Sequence, residues 1–197
     1  SSGCSAQIQS LITLGIIKKE TPLTEGIKSR KTLYTLEDFM FLFWYRFVRT
    51  NLSGIMRGIG ETIYEVSVKP QISHFMGYIF EEICKQYLYL PQIYMTLPFP
   101  TGEFGRWWGN NPKKKRQEEI DLMAENGSEA IFGECKWRNE PADVDILETL
   151  QERSGLFHYQ KQSYMILSKS GFTEKLKLRE QEEENVRLIS FEDMNQL

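Results

Sequence analysis

Asp121, Glu134 and Lys136 are the residues whose types and spacing could do chemistry in this chain. Glu134 and Lys136 are two apart, so on a strand they project side by side. Asp121 lies in the segment expected to pair with theirs. Hard cations such as Mg²⁺ prefer carboxylate, carbonyl and water oxygens. A lysine beside them can orient a water or stabilise a phosphoryl oxygen. The set suits metal-assisted hydrolysis of a phosphodiester. The plainer alternative is a solvated strand face with a cross-strand ion pair.

The elements that must position these residues lie in the stretch Glu118 to Trp137. Ile120, Leu122 and Ala124 alternate with Glu119, Asp121 and Met123, a period of two that predicts a strand. Asn126-Gly127 predicts a tight hairpin, because both residues tolerate positive φ. In the second strand Ile131, Gly133, Cys135 and Trp137 share one face, and Phe132, Glu134 and Lys136 the other. Glu118–Ala124 and Ala130–Trp137 are therefore expected to be antiparallel neighbours.

Upstream, Ile72, Phe75, Met76, Ile79, Phe80, Ile83, Cys84 and Tyr87 fall at offsets 0, 3, 4, 7, 8, 11, 12 and 15, the clearest helix in the chain. Glu81 lies four residues after Gly77, off the apolar stripe, and Glu82 competes with it as a site candidate. Arg106-Trp107-Trp108 predicts the first strand of the sheet. After Trp137 come a helix at 143–157, a strand at 164–168, a turn at Ser170-Gly171-Phe172, a helix at 173–183 and a strand at 186–190. The order is helix, three strands, helix, strand, helix, strand, which predicts an α/β domain with a mixed sheet.

Ile120-Asp121 followed by Glu134-Cys135-Lys136 resembles the signature of the restriction-endonuclease-like PD-(D/E)xK nuclease superfamily. The wider set is Gly77-x-x-Phe80-Glu81, Arg106-Trp107-Trp108, Glu119-Ile-Asp121, Glu134-Cys-Lys-Trp137 and Ser170-Gly171-Phe172. It resembles the C-terminal domain of a family of archaeal-type P-loop ATPases of poorly defined function. The resemblance implies a mixed-sheet core of the order αβββαβ. It implies that Asp121 and Glu134 hold Mg²⁺ or Mn²⁺, with the carbonyl of Cys135 as a third ligand. Lys136 would position the attacking water, Glu81 would lie near the metal and Glu119 would support the set. DNA is the implied substrate. Members of such a superfamily can keep the fold and lose the chemistry.

The first 37 residues predict a helix with Ser5 as its cap and Gly15 as its end, then strands at 16–21 and 32–36 around a basic loop. A helix followed by a hairpin with a basic tip resembles the last part of a winged-helix module, its first helices lying upstream. The chain is expected to be a piece of a longer protein. It has no glycine-rich phosphate loop of the P-loop type, so this piece is not expected to hydrolyse ATP. Asp38 predicts the start of a helix over 39–50. Phe39, Phe41, Phe43, Trp44, Tyr45 and Phe47 surround that helix almost completely, which predicts burial. A weaker helix is expected over 53–68, and Pro70 should open the next one. The expected organisation is a partial winged helix at 1–37, a helical linker at 38–70 and a nuclease-like domain at 71–197.

The balance of 24 basic against 27 acidic residues argues neither for nor against a polyanionic partner. The clustered bases are more telling: Lys28, Arg30 and Lys31 in the first hairpin, and the run Lys113, Lys114, Lys115 and Arg116. These are candidate contacts to a phosphate backbone, or simply a solvated loop. Three cysteines without metal-type spacing and two isolated histidines predict neither a disulfide framework nor a zinc site, which fits a reducing cytoplasm. The leading reading is a Mg²⁺-dependent deoxyribonuclease domain. The rival is a catalytically inactive module that binds nucleic acid or a partner and regulates the ATPase. A third is an oligomerisation domain, so a homo-oligomer is a further expectation.

Overall fold

The computed structural model describes residues 2–25 and 29–196. The chain divides into two compact units, residues 1–21 with 25–75 and residues 22–24 with 76–197. The first unit opens with α1 (Ser2–Thr13), which starts upstream of Ser5, so Ser5 is not its cap. Gly15, with φ of 67°, turns the chain out of it. β1 (Ile17–Glu20) and β2 (Leu33–Leu36) form an antiparallel pair with Ile17 opposite Leu36. Asp38 caps α2 (Phe39–Phe43) by accepting the N–H groups of Met40 and Phe41. Helical backbone continues through a wide turn at Trp44–Val48 and a tight one at Arg49–Asn51 into α3 (Leu52–Met56). Gly58, at φ of 83°, reverses the chain into α4 (Gly60–Ile63). A second wide turn, Tyr64–Val68, precedes α5 (Lys69–Leu88). It lies just where Pro70 lacks an N–H and its ring crowds the preceding turn.

The expected burial of the aromatic helix is wrong. Phe47 is buried and rings with Phe43 and Phe75 at 5.2 and 5.3 Å. Met40, Phe43, Trp44 and Tyr45 stay exposed. Apolar residues all round a helix bury it only if neighbours cover every side. Among the described residues of this unit, the rings packed against Phe47 cover one side.

The second unit is built on a five-stranded mixed sheet ordered β3 (Gly105–Asn111), β4 (Arg116–Glu125), β5 (Glu129–Lys136), β6 (Lys161–Ser168) and β7 (Val186–Ser190). The first three strands are antiparallel, and β5, β6 and β7 are parallel. Helices cover both faces, which is why strands such as β6 read as nearly continuous apolar runs. On one face Phe80, Cys84 and Leu88 of α5 pack with Leu122, Ala124, Ile131, Cys135, Met165 and Leu167. On the other, Ile146, Leu147 and Leu150 of α7 (Val144–Ser154) and Leu176 of α8 (Glu174–Glu182) pack with Ile120, Met123, Phe132 and Ile166. Short helices α6 (Pro91–Tyr94) and α9 (Phe191–Met194) complete the unit. Phe80 is fully buried against Trp137 and Phe191. Burial of such a ring stabilises by about 2–3 kcal/mol.

Two details of the central hairpin differ from expectation. Positive φ occurs at Gly127 and not at Asn126, and the Asn126 N–H donates to the Glu129 carbonyl. The turn is therefore centred on Gly127-Ser128, with glycine at its first central position, the type II′ pattern. The alternation along β4 also breaks. Trp107 faces Ile120 while Gly105 faces Met123, so Asp121 and Leu122 together oppose the single residue Arg106. Ile120 and Met123 consequently share one core, and Leu122 and Ala124 the other. This is a β-bulge, which re-aims side chains and bends the strand. The faces expected for Ile131, Cys135 and Phe132 in β5 are those observed.

Beside the bulge, β4 and β5 are tightly apposed. A Cβ added at Gly133 would stand 2.9 Å from the Cβ of Leu122. Gly133→Ala is expected to destabilise the protein by about 1–3 kcal/mol through overpacking. Urea unfolding measures it, and an unchanged midpoint would show that the hairpin yields freely.

Candidate functional site

The paired register of β4 and β5 covers residues 122–125 and 130–133. Asp121 and Glu134 lie just past its end, where β4 leaves β5 for β3. The antiparallel neighbours expected over 118–124 and 130–137 are thus paired along only part of that length. The bulge puts Asp121 at the parting, and its Oδ2 accepts the Cys135 N–H at 2.9 Å. A peptide group freed from the ladder is satisfied by a side chain, which fixes that carboxylate. Burial pushes the Asp121 carboxyl up to about 7, with Glu134 adding to the rise and Lys136 opposing it.

Lys136 Nζ donates to Glu134 Oε1 at 2.5 Å. The carboxylates of Glu134 and Asp121 hold the ammonium above its ordinary range although burial works the other way, so it stays charged. The other oxygen of Glu134 accepts from Arg153 Nη1 at 3.1 Å. Arg153 also donates to Glu118 at 3.2 Å, and Arg116 donates to Glu118 at 2.8 Å. Charges thus alternate along Arg116, Glu118, Arg153, Glu134 and Lys136. Glu118 is buried, and Arg116, whose hydrogen bond matters most, holds it below the usual carboxylate range.

A second group borders Asp121. Arg106 pairs with Glu119 and lies 3.6 Å from Glu81. Burial first, and then Asp121, push the Glu81 carboxyl up to about 8, with Arg106 opposing. Glu81 is therefore a helix carboxylate that feels Asp121. Four carboxylates, Glu81, Glu119, Asp121 and Glu134, meet there with Arg106, Lys136 and Arg153. The Cys135 thiol turns to the opposite core beside Cys84, and burial raises it far above its ordinary range. It stays protonated, which leaves its backbone as the only part suited to a hard cation.

The donor chemistry fits a divalent ion: carboxylate oxygens, two of them raised first by burial and then by like-charge neighbours whose repulsion a cation would relieve. Among the described residues no group of three or more His, Cys, Asp or Glu stands arranged to hold a metal. A Mg²⁺ ion held by two carboxylates, a carbonyl and waters needs no such triad.

The candidate phosphate contacts are spread between the units. Lys113, Lys114 and Lys115 form the exposed tip of the β3–β4 hairpin, and Arg116 opens β4. Lys114 is paired with Glu152 at 2.6 Å. Arg30 is exposed, and Lys31 pairs with Glu25 in the first unit. Lys28 lies outside the described residues. Sequence reasoning missed Arg153, Glu118 and the role of Arg106. Arg153 had a signal: it follows Leu150 by three on the packed side of α7, where a charge needs a buried partner.

No helix among the described residues is long and apolar enough to cross a membrane. No solved structure matches the chain. An uncharacterized protein of Methanocaldococcus jannaschii, MJECL04, is 32% identical over 201 residues, covering 98% of this chain and 42% of that protein. The chain thus spans less than half the length of this relative. A family model described as archaea bacterial proteins of unknown function matches residues 44–153, a span that includes Glu81, Asp121, Glu134, Lys136 and Arg153. That match covers more than half of the chain, which therefore belongs to this family, DUF234, of archaeal and bacterial proteins of unknown function.

Proposed function

We propose that this chain carries a metal-dependent nuclease domain of the restriction-endonuclease-like PD-(D/E)xK type, acting on DNA. The observation that carries the reading is the meeting of Asp121, Glu134 and Lys136 where β4 parts from β5. The strand order, antiparallel then parallel with helices on both faces, supports the same reading. Asp121 and Glu134 would hold Mg²⁺ or Mn²⁺ with the Cys135 carbonyl. A bound divalent ion supplies Lewis acidity and an activated water. Lys136, already charged, would donate to that water or to the developing phosphoryl charge. Arg106 pairs with Glu119 and lies beside Glu81, which keeps both carboxyl groups next to the set. Within the longer protein the domain would serve a P-loop ATPase, with the helix and hairpin of residues 2–36 as the remainder of a winged helix. The reducing cytoplasm remains the compartment in which this reading places it.

A second reading has its own support. Both oxygens of Glu134 are engaged by cations, and among the described residues no three-ligand cluster stands ready. An inactive DNA- or partner-binding module would tolerate that arrangement indefinitely. Incubation of the protein with linear, branched and single-stranded DNA in Mg²⁺ or Mn²⁺ separates the two. Cleavage that chelation abolishes supports the nuclease; DNA binding without cleavage supports the module.

The hairpin tip makes its own prediction. Lys113→Glu with Lys115→Glu should weaken DNA binding and flatten its dependence on salt. The log–log slope should fall by about one for each phosphate that is no longer neutralised. The melting temperature should stay put, because both side chains are exposed. Unchanged affinity in a filter-binding titration would return the tip to plain solvated surface.

A further inference from the structure

We propose that Arg153 is a resident cation at Glu134, displaced from it when a divalent ion binds and received by a phosphate of the substrate. The inference rests on the nuclease reading of Asp121 and Glu134. Glu134 is nearly buried, yet Arg153 Nη1 and Lys136 Nζ satisfy both its oxygens within the protein. A divalent ion must therefore share or take a carboxylate that already carries two positive neighbours. Lys136 sits two residues away on the same strand, so its ammonium stays within the site beside Glu134 and Asp121 whichever group it serves. Arg153 comes from a different element, the last turn of α7, and has a second carboxylate, Glu118, to anchor it away from Glu134. It is the neighbour that can leave.

Magnitudes decide the sign. A unit positive charge a few ångströms from a divalent ion opposes its binding strongly, even at an effective dielectric of about 20. That repulsion far exceeds the gain from fixing one carboxylate rotamer. Arg153 therefore weakens metal binding in the free protein and does not help it by orienting Glu134. The planar guanidinium that leaves Glu134 matches a phosphate. Metal and DNA then bind cooperatively through it, and linkage makes the effect reciprocal. The neighbouring Glu152 holds Lys114 of the hairpin tip, so the same end of α7 bears on both groups.

The test is a Mn²⁺ titration of the whole chain by calorimetry, with and without a short DNA duplex at low temperature. Wild type should bind Mn²⁺ more tightly with duplex present. Arg153→Met should bind Mn²⁺ on the order of tenfold or more tightly without DNA, and gain little more from it. Arg153→Lys, which keeps a cation at Glu134, should stay near wild type. A merely structural arginine would give the opposite sign, because a loosened site binds metal worse. If Arg153→Met does not fold, Arg153→Gln serves in its place: the neutral amide can still hydrogen-bond Glu134 and Glu118 and should also tighten Mn²⁺. Unchanged or weaker Mn²⁺ binding in these variants, with Asp121→Ala abolishing it, overturns the role of Arg153 and leaves the nuclease reading standing. If Asp121→Ala binds Mn²⁺ as wild type does, both fall.

Discussion

Lys136→Ala is expected to lower metal-dependent DNA cleavage on the order of a hundredfold or more, while Mn²⁺ still binds. The lysine is charged and held on Glu134, so its ammonium is preorganised before substrate arrives. Removing it leaves Glu134 with Arg153, so the carboxylate stays in place and the fold survives. Asp121→Ala should abolish cleavage by a different route, by losing the ion. The two variants thus separate in a calorimetric titration although both are slow: one binds Mn²⁺ and the other does not. Wild-type activity that is absent on every DNA form, or equal to that of Lys136→Ala, would defeat the nuclease reading and leave the inactive module.

Part of the candidate site's arrangement was legible in the sequence because strand periodicity fixes which side chains share a face. The shared face of Glu134 and Lys136 follows from a period of two, whereas a turn centred on Asn126-Gly127 would set Asp121 opposite Phe132 and the observed turn sets it toward Glu134. What the sequence did not disclose is a single extra residue. The bulge at Asp121-Leu122 puts Ile120 and Leu122 on opposite faces, and no local pattern marks it, since both are apolar and both are buried. The turn slipped by one for a similar reason: Gly127 satisfies either a first or a second central position, and pairing decides which. The aromatic segment at 39–50 misled because composition reports what a helix would bury, whereas burial depends on what surrounds it. The place of Arg153 on α7 hinted at a buried partner, but its partners Glu134 and Glu118 lie 19 and 35 residues away, and pairs that distant leave no trace in spacing.

Stability of the metal-free protein should fall by several kcal/mol between about pH 5 and pH 8. Asp121 is raised to about 7 from an ordinary 3.8, and Glu81 to about 8 from 4.5. In this window the unfolded chain has released both protons while the folded protein still holds them. Stability is therefore full below about pH 4, declines as pH rises, and levels off above about pH 8. A tenfold change in a protonation equilibrium is worth about 1.4 kcal/mol, so either group alone would account for about 4–5 kcal/mol. The two repel one another, so they titrate as a set and their effects do not simply add. Glu118 and Asp143, both held low by hydrogen-bond partners, act in the reverse direction, but only at the acid end, below the ordinary carboxylate range. Urea unfolding in EDTA at about pH 5.5 and about pH 8 measures the difference. Asp121→Asn should remove its own share and reduce that of Glu81, leaving the part due to burial of Glu81, and raise the melting temperature at the alkaline end, because a neutral amide removes the like charge. Adding Mn²⁺ to wild type there should restore stability by binding only the folded state. A stability that is level or rising across this interval would mean that Asp121 and Glu81 are already ionised and paired, and the crowding that invites a cation would not exist.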